Sequence, residues 1–406
     1  MTVELAPDDP RLEVPLGSRV FHAGMPKTGT TALQRTLAAQ RGELLAHGTR
    51  YPGSATSFNH RRALYAALDR PLSWSGRDDV VPGRERWTRL VDEVAADRSN
   101  RVLISVETLS ESPADGLRRI LEELKGEAHV VLTLRSLPAQ LASSWQQYLK
   151  SGLTTGFDAW LRQVLDDGRT PKVTKSFRVR SDVDALVGKW AGLVGEERVT
   201  LVVLDPQDRA LLPRAFESTL ALPSGMLEPH DEVTGVNRSF TWGEAELLRE
   251  INRRIRDRDV RWPDYERLVR GGMVDRLLDL RVPGPHEQRI VPPAWAVERM
   301  VGYAQQQIEA LRRRRVRVVG DLAHLATPVA SSDGAEAPAE VAVDAAAEAV
   351  LGMLSAGLGR GNDFGDVPAR SLDDVPASSL ARALAERVSR RASTASRRMV
   401  DRVVKR

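Results

Sequence analysis

The chain of 406 residues contains no cysteine. Disulfides and thiolate metal sites are therefore excluded. The seven histidines show no metal-ligand spacing, so no metal is expected. Aromatic residues are scarce, at 5%. No run of about 18 apolar residues occurs, and no membrane span is expected. The opening stretch, MTVELAPDDPRLEVPLGSR, lacks the basic start and apolar core of a signal peptide. A cytoplasmic location is the default expectation. No internal repeat is evident.

What is present has the balance of a globular protein, with 42% apolar and 28% charged residues. The length suffices for one large α/β domain with appendages. The net charge is +4 but unevenly placed. Residues 379–406 hold nine Lys/Arg against Glu386 and Asp401, leaving the rest of the chain near −3. The basic character belongs to the tail.

Residues 18–24 (SRVFHAG) read as a buried strand ended by glycine. Residues 30–45 follow with helical spacing of Leu33, Leu37, Leu44 and Leu45. Strands are also expected at 101–105, 128–134 and 198–204, with helices between them, which argues for a parallel sheet with right-handed crossovers. Helices dominate later, near 241–255, 264–280 and 294–313. The expected fold class is α/β: a P-loop-type parallel β-sheet flanked by helices, with a largely helical C-terminal half and a low-complexity basic tail. The expected organisation is an N-terminal extension at 1–17 and an α/β domain at 18–325. A disordered, Ala/Glu/Ser/Pro-rich linker at 326–345 and a short helix plus basic tail at 346–406 complete it.

The chemistry concentrates in the loop Gly24-Met25-Pro26-Lys27-Thr28-Gly29-Thr30-Thr31, between the first strand and its helix. A helix start leaves backbone N–H groups without intrahelical partners, and the helix dipole adds positive potential there. Gly24 and Gly29 let the backbone wrap an anion. Thr30 and Thr31 add hydroxyls, and Lys27 adds a mobile charge. Nucleotide kinases and GTPases place their lysine directly after the last glycine of the loop. Here Thr30 holds that position and the lysine lies inside the loop. The second strand runs into Val106-Glu107 rather than a metal-binding aspartate.

With this PKTGTT form the chain resembles the PAPS-dependent sulfotransferases, in particular the bacterial sulfotransferase-like group. The resemblance spans roughly residues 19–325. It implies that Lys27, Thr28, Gly29, Thr30 and Thr31 contact the 5′-phosphosulfate of PAPS (3′-phosphoadenosine 5′-phosphosulfate), with Lys27 assisting the leaving oxygen and no metal required. The family's second signature is an arginine ending a strand, with a serine eight residues later. Arg135 and Ser143 have that spacing, which implies that they hold the 3′-phosphate. An arginine can fork onto phosphate in bidentate fashion. The family's usual late nucleotide-closing loop elements are missing, and Arg238 is a candidate substitute. Trp145 and Tyr148 read as packing residues, and Gln147 as a cleft-facing one.

Sulfuryl transfer needs a general base for the acceptor. Glu107 follows a buried strand, where open parallel sheets place their sites, and some carbohydrate sulfotransferases use a glutamate. Burial would raise its pKa toward a useful range. His60 competes, since histidine is the usual base in the cytosolic enzymes of the family. His22, within the first strand, reads as structural. The acceptor is unknown, with a glycan, lipid or small metabolite all open. Its pocket is expected from residues 51–87, where Trp74 and Trp87 either stack on a sugar or pack, and from the helices after Trp242. The tail lacks the aromatics that nucleic-acid stacking needs; peripheral contact with a membrane or acidic surface is the alternative to a solvated helix. Oligomeric state is open. The competing readings are a P-loop kinase-like phosphotransferase and a non-catalytic nucleotide-binding domain.

Overall fold

The computed structural model describes residues 2–53, 57–71, 81–166, 175–228, 238–256, 258, 260–332 and 336–359. At its centre lies a seven-stranded sheet. In chain order the strands are β1 (Val3–Leu5), β2 (Arg19–Gly24), β3 (Thr49–Arg50), β4 (Arg101–Ser105), β5 (Ala128–Leu134), β6 (Val199–Val203) and β7 (Arg317–Val319). Every pairing is parallel, and the spatial order is β1-β7-β6-β5-β2-β4-β3. The expected α/β class, a parallel sheet flanked by helices, is the one observed.

Strand β2 pairs with both β4 and β5, and all six of its residues are buried. A parallel strand covered on both faces needs apolar side chains in succession, hence the near-continuous runs of β2, β4 and β6. Period-two alternation divides them between two cores. Phe21, Val102, Ile104, Val130 and Leu132 pack under helices Ala114–Leu124, Gln140–Leu149, Val183–Val194 and Ala294–Arg312. Val20, Leu103, Val131 and Val202 pack under Thr30–Ala39 and Leu211–Leu220 on the opposite face.

Several details differ from expectation. Strands β1, β3 and β7 are too short to carry a period of their own. Strand β1 comes from the segment read as an extension and pairs with β7 at the sheet edge. The helix expected over 30–45 breaks at Gln40 (φ −101°, ψ 21°) into Thr30–Ala39 and Arg41–Ala46. The region 264–280 contains a π-helix, Glu266–Val274, between the short α-helices Trp262–Tyr265 and Asp275–Asp279.

A helix at Val343–Gly357 docks on that π-helix through glycines. A Cβ on Gly272 would lie 2.6 Å from the Gly352 carbonyl oxygen, and one on Gly352 would lie 2.5 Å from that of Gly272. Only glycine allows two backbones this close. Ion pairs Arg276–Glu348 and Arg281–Asp344 fasten the polar side. The basic tail lies outside the described residues. Among the described residues no helix is long and apolar enough to cross a membrane.

Candidate functional site

The C-terminal ends of β2, β4 and β5 meet at one edge of the sheet, where open parallel sheets place ligands. The loop after β2 is fixed by both neighbours. The Met25 amide donates to the Thr133 carbonyl at 2.9 Å, and the Gly24 amide donates to Ser110 Oγ at 2.9 Å. Gly24 has φ 138°, and a Cβ there would sit 2.4 Å from the Thr133 carbonyl oxygen. That backbone contact cannot yield as a flexible side chain would, so glycine is required.

Gly29 caps the following helix in the left-handed region (φ 77°). Lys27 also adopts positive φ, 63°. A side-chain-bearing residue seldom does so without being held, and such strain clusters at ligand sites. The holding group is Thr28. Its hydroxyl is fully buried and donates to the Met25 carbonyl at 2.8 Å, with Thr30 Oγ1 at 2.9 Å and Thr133 Oγ1 at 3.0 Å. The Thr28 side chain is an internal brace, so the nucleotide contact that the resemblance implies for this residue falls to its backbone. Only its backbone remains for an anion. Lys27 is exposed and Thr31 is half-buried.

Arg135 follows β5 and reaches back to this loop. Its Nη1 donates to the Lys27 carbonyl at 3.0 Å and its Nη2 to the Ala139 carbonyl at 3.3 Å. Ser143 Oγ donates to the same Ala139 carbonyl at 3.3 Å. The fold thus brings together Lys27, Arg135 and Ser143. Among the described residues no carboxylate pairs with Lys27 or Arg135. Surrounding protein lowers the pKa of both, and the charge of Arg135 lowers that of Lys27 further. Crowded cations without counter-charges are unfavourable unless an anion joins them.

A third cation was not singled out from the sequence. Lys150 ends the helix Gln140–Leu149, seven residues after Ser143 and so on a similar face. Its Nζ lies 5.2 Å from the centre of the Phe240 ring. Burial lowers its pKa to about 8, with Lys27 and Arg270 repelling it and Asp275 and Asp279 opposing them. The 143–147–150 spacing was the available signal. Trp145 and Tyr148 on the same helix are fully buried in the core.

Glu107 opens a short 3-10 turn two residues after β4. Burial raises its carboxyl pKa; its own backbone amide, the Arg61 guanidinium and a hydrogen bond from Thr30 pull the other way.

His60 does not have the freedom of a base. Its Nδ1 accepts from the Ser105 amide at 3.1 Å and its Nε2 donates to the Pro52 carbonyl at 2.9 Å. The ring is buried, and that burial lowers its pKa to about 4. It is a neutral strut joining β4 to the loop before it. His22 is likewise structural, with Nδ1 2.8 Å from Ser105 Oγ and its pKa lowered by burial to about 3.

Arg238 is also occupied. Its two terminal nitrogens each lie 2.7 Å from Glu244, and one also donates to the Leu277 carbonyl. Glu244 is fully buried and caps its own helix with Thr241. A buried carboxylate needs this compensation, and Arg238 and Arg281 share it. The expected nucleotide role of Arg238 therefore gives way to a structural one. Trp87, expected either to stack or to pack, is packed in the core; Trp74 lies outside the described residues.

The two histidines set an acid sensitivity. Their pKa values lie below the ordinary 6.5, so the stability they contribute is full above pH 6.5 and is lost as pH falls toward 4. For His60 the loss is on the order of 3 kcal/mol. The melting temperature is expected to fall over that interval, and less steeply in His60→Asn. An unchanged slope in that variant would contradict the neutral-strut assignment.

No protein-family model matches the chain, and no curated protein does. Among solved structures it is similar to a sulfotransferase from Alicyclobacillus acidocaldarius, with 16% identity and a TM-score of 0.37 over 54% of this chain and 88% of that one. A superposition this loose carries neither fold nor function, and both rest on the residues described above.

Proposed function

We propose that the chain transfers a sulfuryl group from PAPS to a hydroxyl or amine of an acceptor, releasing PAP. The observation that carries this reading is the meeting of Arg135 with the loop. Arg135 donates to the Lys27 carbonyl, shares the Ala139 carbonyl with Ser143, and has no carboxylate partner among the described residues. Two cationic centres, one in the loop and one at the end of β5, suit a nucleotide that is anionic at both its 5′ and 3′ ends.

The backbone amides at the helix start and Lys27 receive the 5′-phosphosulfate. Arg135 and Ser143 receive the 3′-phosphate. The acceptor oxygen attacks sulfur in line, and the bond from sulfur to the 5′-phosphate oxygen breaks. Its electron pair stays on PAP, where Lys27 stabilises the charge. The acceptor proton passes to the Glu107 carboxylate. A kinase-like reading has less support, because Thr30 stands where such loops carry their lysine.

PAP is expected to raise the melting temperature, while ATP with magnesium does not. At a hundredfold excess over Kd the stabilisation is about 2.7 kcal/mol. Lys150 discharges as pH rises through about 8, so PAP affinity is expected to weaken above that pH, and to do so less in Lys150→Met. Stabilisation by ATP–magnesium alone would favour a phosphotransferase. Stabilisation by PAP without transfer of labelled sulfate to any acceptor would favour a binding domain.

A further inference from the structure

A cleft of about 850 Å³ is lined by Phe58, Arg61, Arg62, Arg86 and Arg89 among others. Two interactions connect its wall to the region of Glu107. Arg61 acts electrostatically on the Glu107 carboxyl. His60, also on its wall, bonds to the end of β4 two residues before Glu107. Glu266, at the start of the π-helix, closes another side.

Among the described residues the cleft lining carries four arginines and two carboxylates, an excess of positive charge. Both carboxylates have partners: Glu93 accepts from the Gly53 amide at 3.0 Å and lies 3.7 Å from Arg50, while Glu266 pairs with Arg270 at 3.3 Å. Arg62, Arg86 and Arg89 are exposed and form no ion pair among the described residues. Among the described residues Arg89 donates to the Glu85 carbonyl. Phe58 is 39% exposed on the same wall, with the Arg35 guanidinium over its ring 5.7 Å from the centre. Such a surface attracts anions.

We infer that this cleft holds the acceptor and selects one that itself carries a carboxylate or sulfate. Arg62, Arg86 and Arg89 receive that group, and a hydroxyl of the same molecule is presented to Glu107. The inference rests on the sulfuryl-transfer reading for the hydroxyl's fate, but not for the binding.

Calorimetry on the full chain tests it with three probes: a galacturonic acid disaccharide, its carboxyl-reduced neutral counterpart, and a galactose disaccharide bearing a 6-sulfate. At least one anionic probe is expected to bind about tenfold more tightly than the neutral one, with the difference shrinking in high salt. The pair of anionic probes distinguishes a carboxylate from a sulfate. Arg62→Glu with Arg86→Glu is expected to abolish the preference, while stabilisation by PAP is kept. Lys405→Glu with Arg406→Glu, in the basic tail, is expected to change nothing. Equal binding of neutral and anionic probes, no binding of either anion, or a preference lost only in the tail variant would overturn the inference. Failure of PAP to stabilise a chain that still prefers the anions would instead overturn the sulfuryl-transfer reading.

Discussion

Lys27→Ala is expected to lower kcat/KM for sulfation by roughly 10²–10³, the effect of removing one preorganised stabiliser of transition-state charge. The loss should appear mainly in kcat, because charge on the bridging oxygen develops only as the bond to sulfur breaks. Stability should move the other way or not at all. Lys27 is exposed, and its ammonium is repelled by Arg135. The backbone at φ 63° is held by Thr28 and the β5 contacts rather than by the lysine side chain. An unchanged melting temperature beside a collapsed turnover separates a role in chemistry from a role in folding. Lys27→Arg keeps the charge but carries a planar fork in place of a compact ammonium, and partial recovery is expected. Labelled-PAPS kinetics decide the matter: a Lys27→Ala enzyme within threefold of the parent would remove Lys27 from the mechanism.

The parts of the site that could be read in the sequence are those that depend on local chemistry. The loop between β2 and its helix declares itself because glycine at 24 and 29 and lysine at 27 have few structural reasons to coincide. Arg135 and Ser143 are joined by spacing, and the shared Ala139 carbonyl is its physical expression. What stayed hidden depends on distant partners. The resemblance names Thr28 as a nucleotide contact, but only the contact with Thr133, from another strand, shows its hydroxyl turned inward. Arg238 looked free because Glu244, although only six residues away, becomes a buried carboxylate through packing that sequence does not display. His60 was a candidate base until the Ser105 amide and Pro52 carbonyl took both its nitrogens. The same holds for the fold. The long buried strands carry their pattern in themselves, whereas β1, β3 and β7 are strands only because a neighbour pairs with them. The π-helix at Glu266–Val274 depends likewise on company, since its Gly272 meets Gly352 some eighty residues later.

Glu107→Gln is expected to lower turnover by roughly 10²–10⁴, the usual contribution of a general base. Glutamine is nearly isosteric with glutamate, so the loop geometry should persist. It cannot take the acceptor proton. The pH profile supplies a second signature. Burial raises the Glu107 pKa, so the carboxylate form needed for catalysis is fully populated only above that raised value. The parent enzyme should therefore gain activity as pH rises through it, and the glutamine variant should lack this acidic limb. His60→Asn provides the contrast. With both ring nitrogens engaged and its pKa near 4, His60 has no lone pair to offer the acceptor, and its loss should lower stability more than turnover per folded molecule. If Glu107→Gln keeps full turnover while folded His60→Asn is inactive, the proton goes to the histidine, and the hydrogen bonds that now bury it must open during the catalytic cycle.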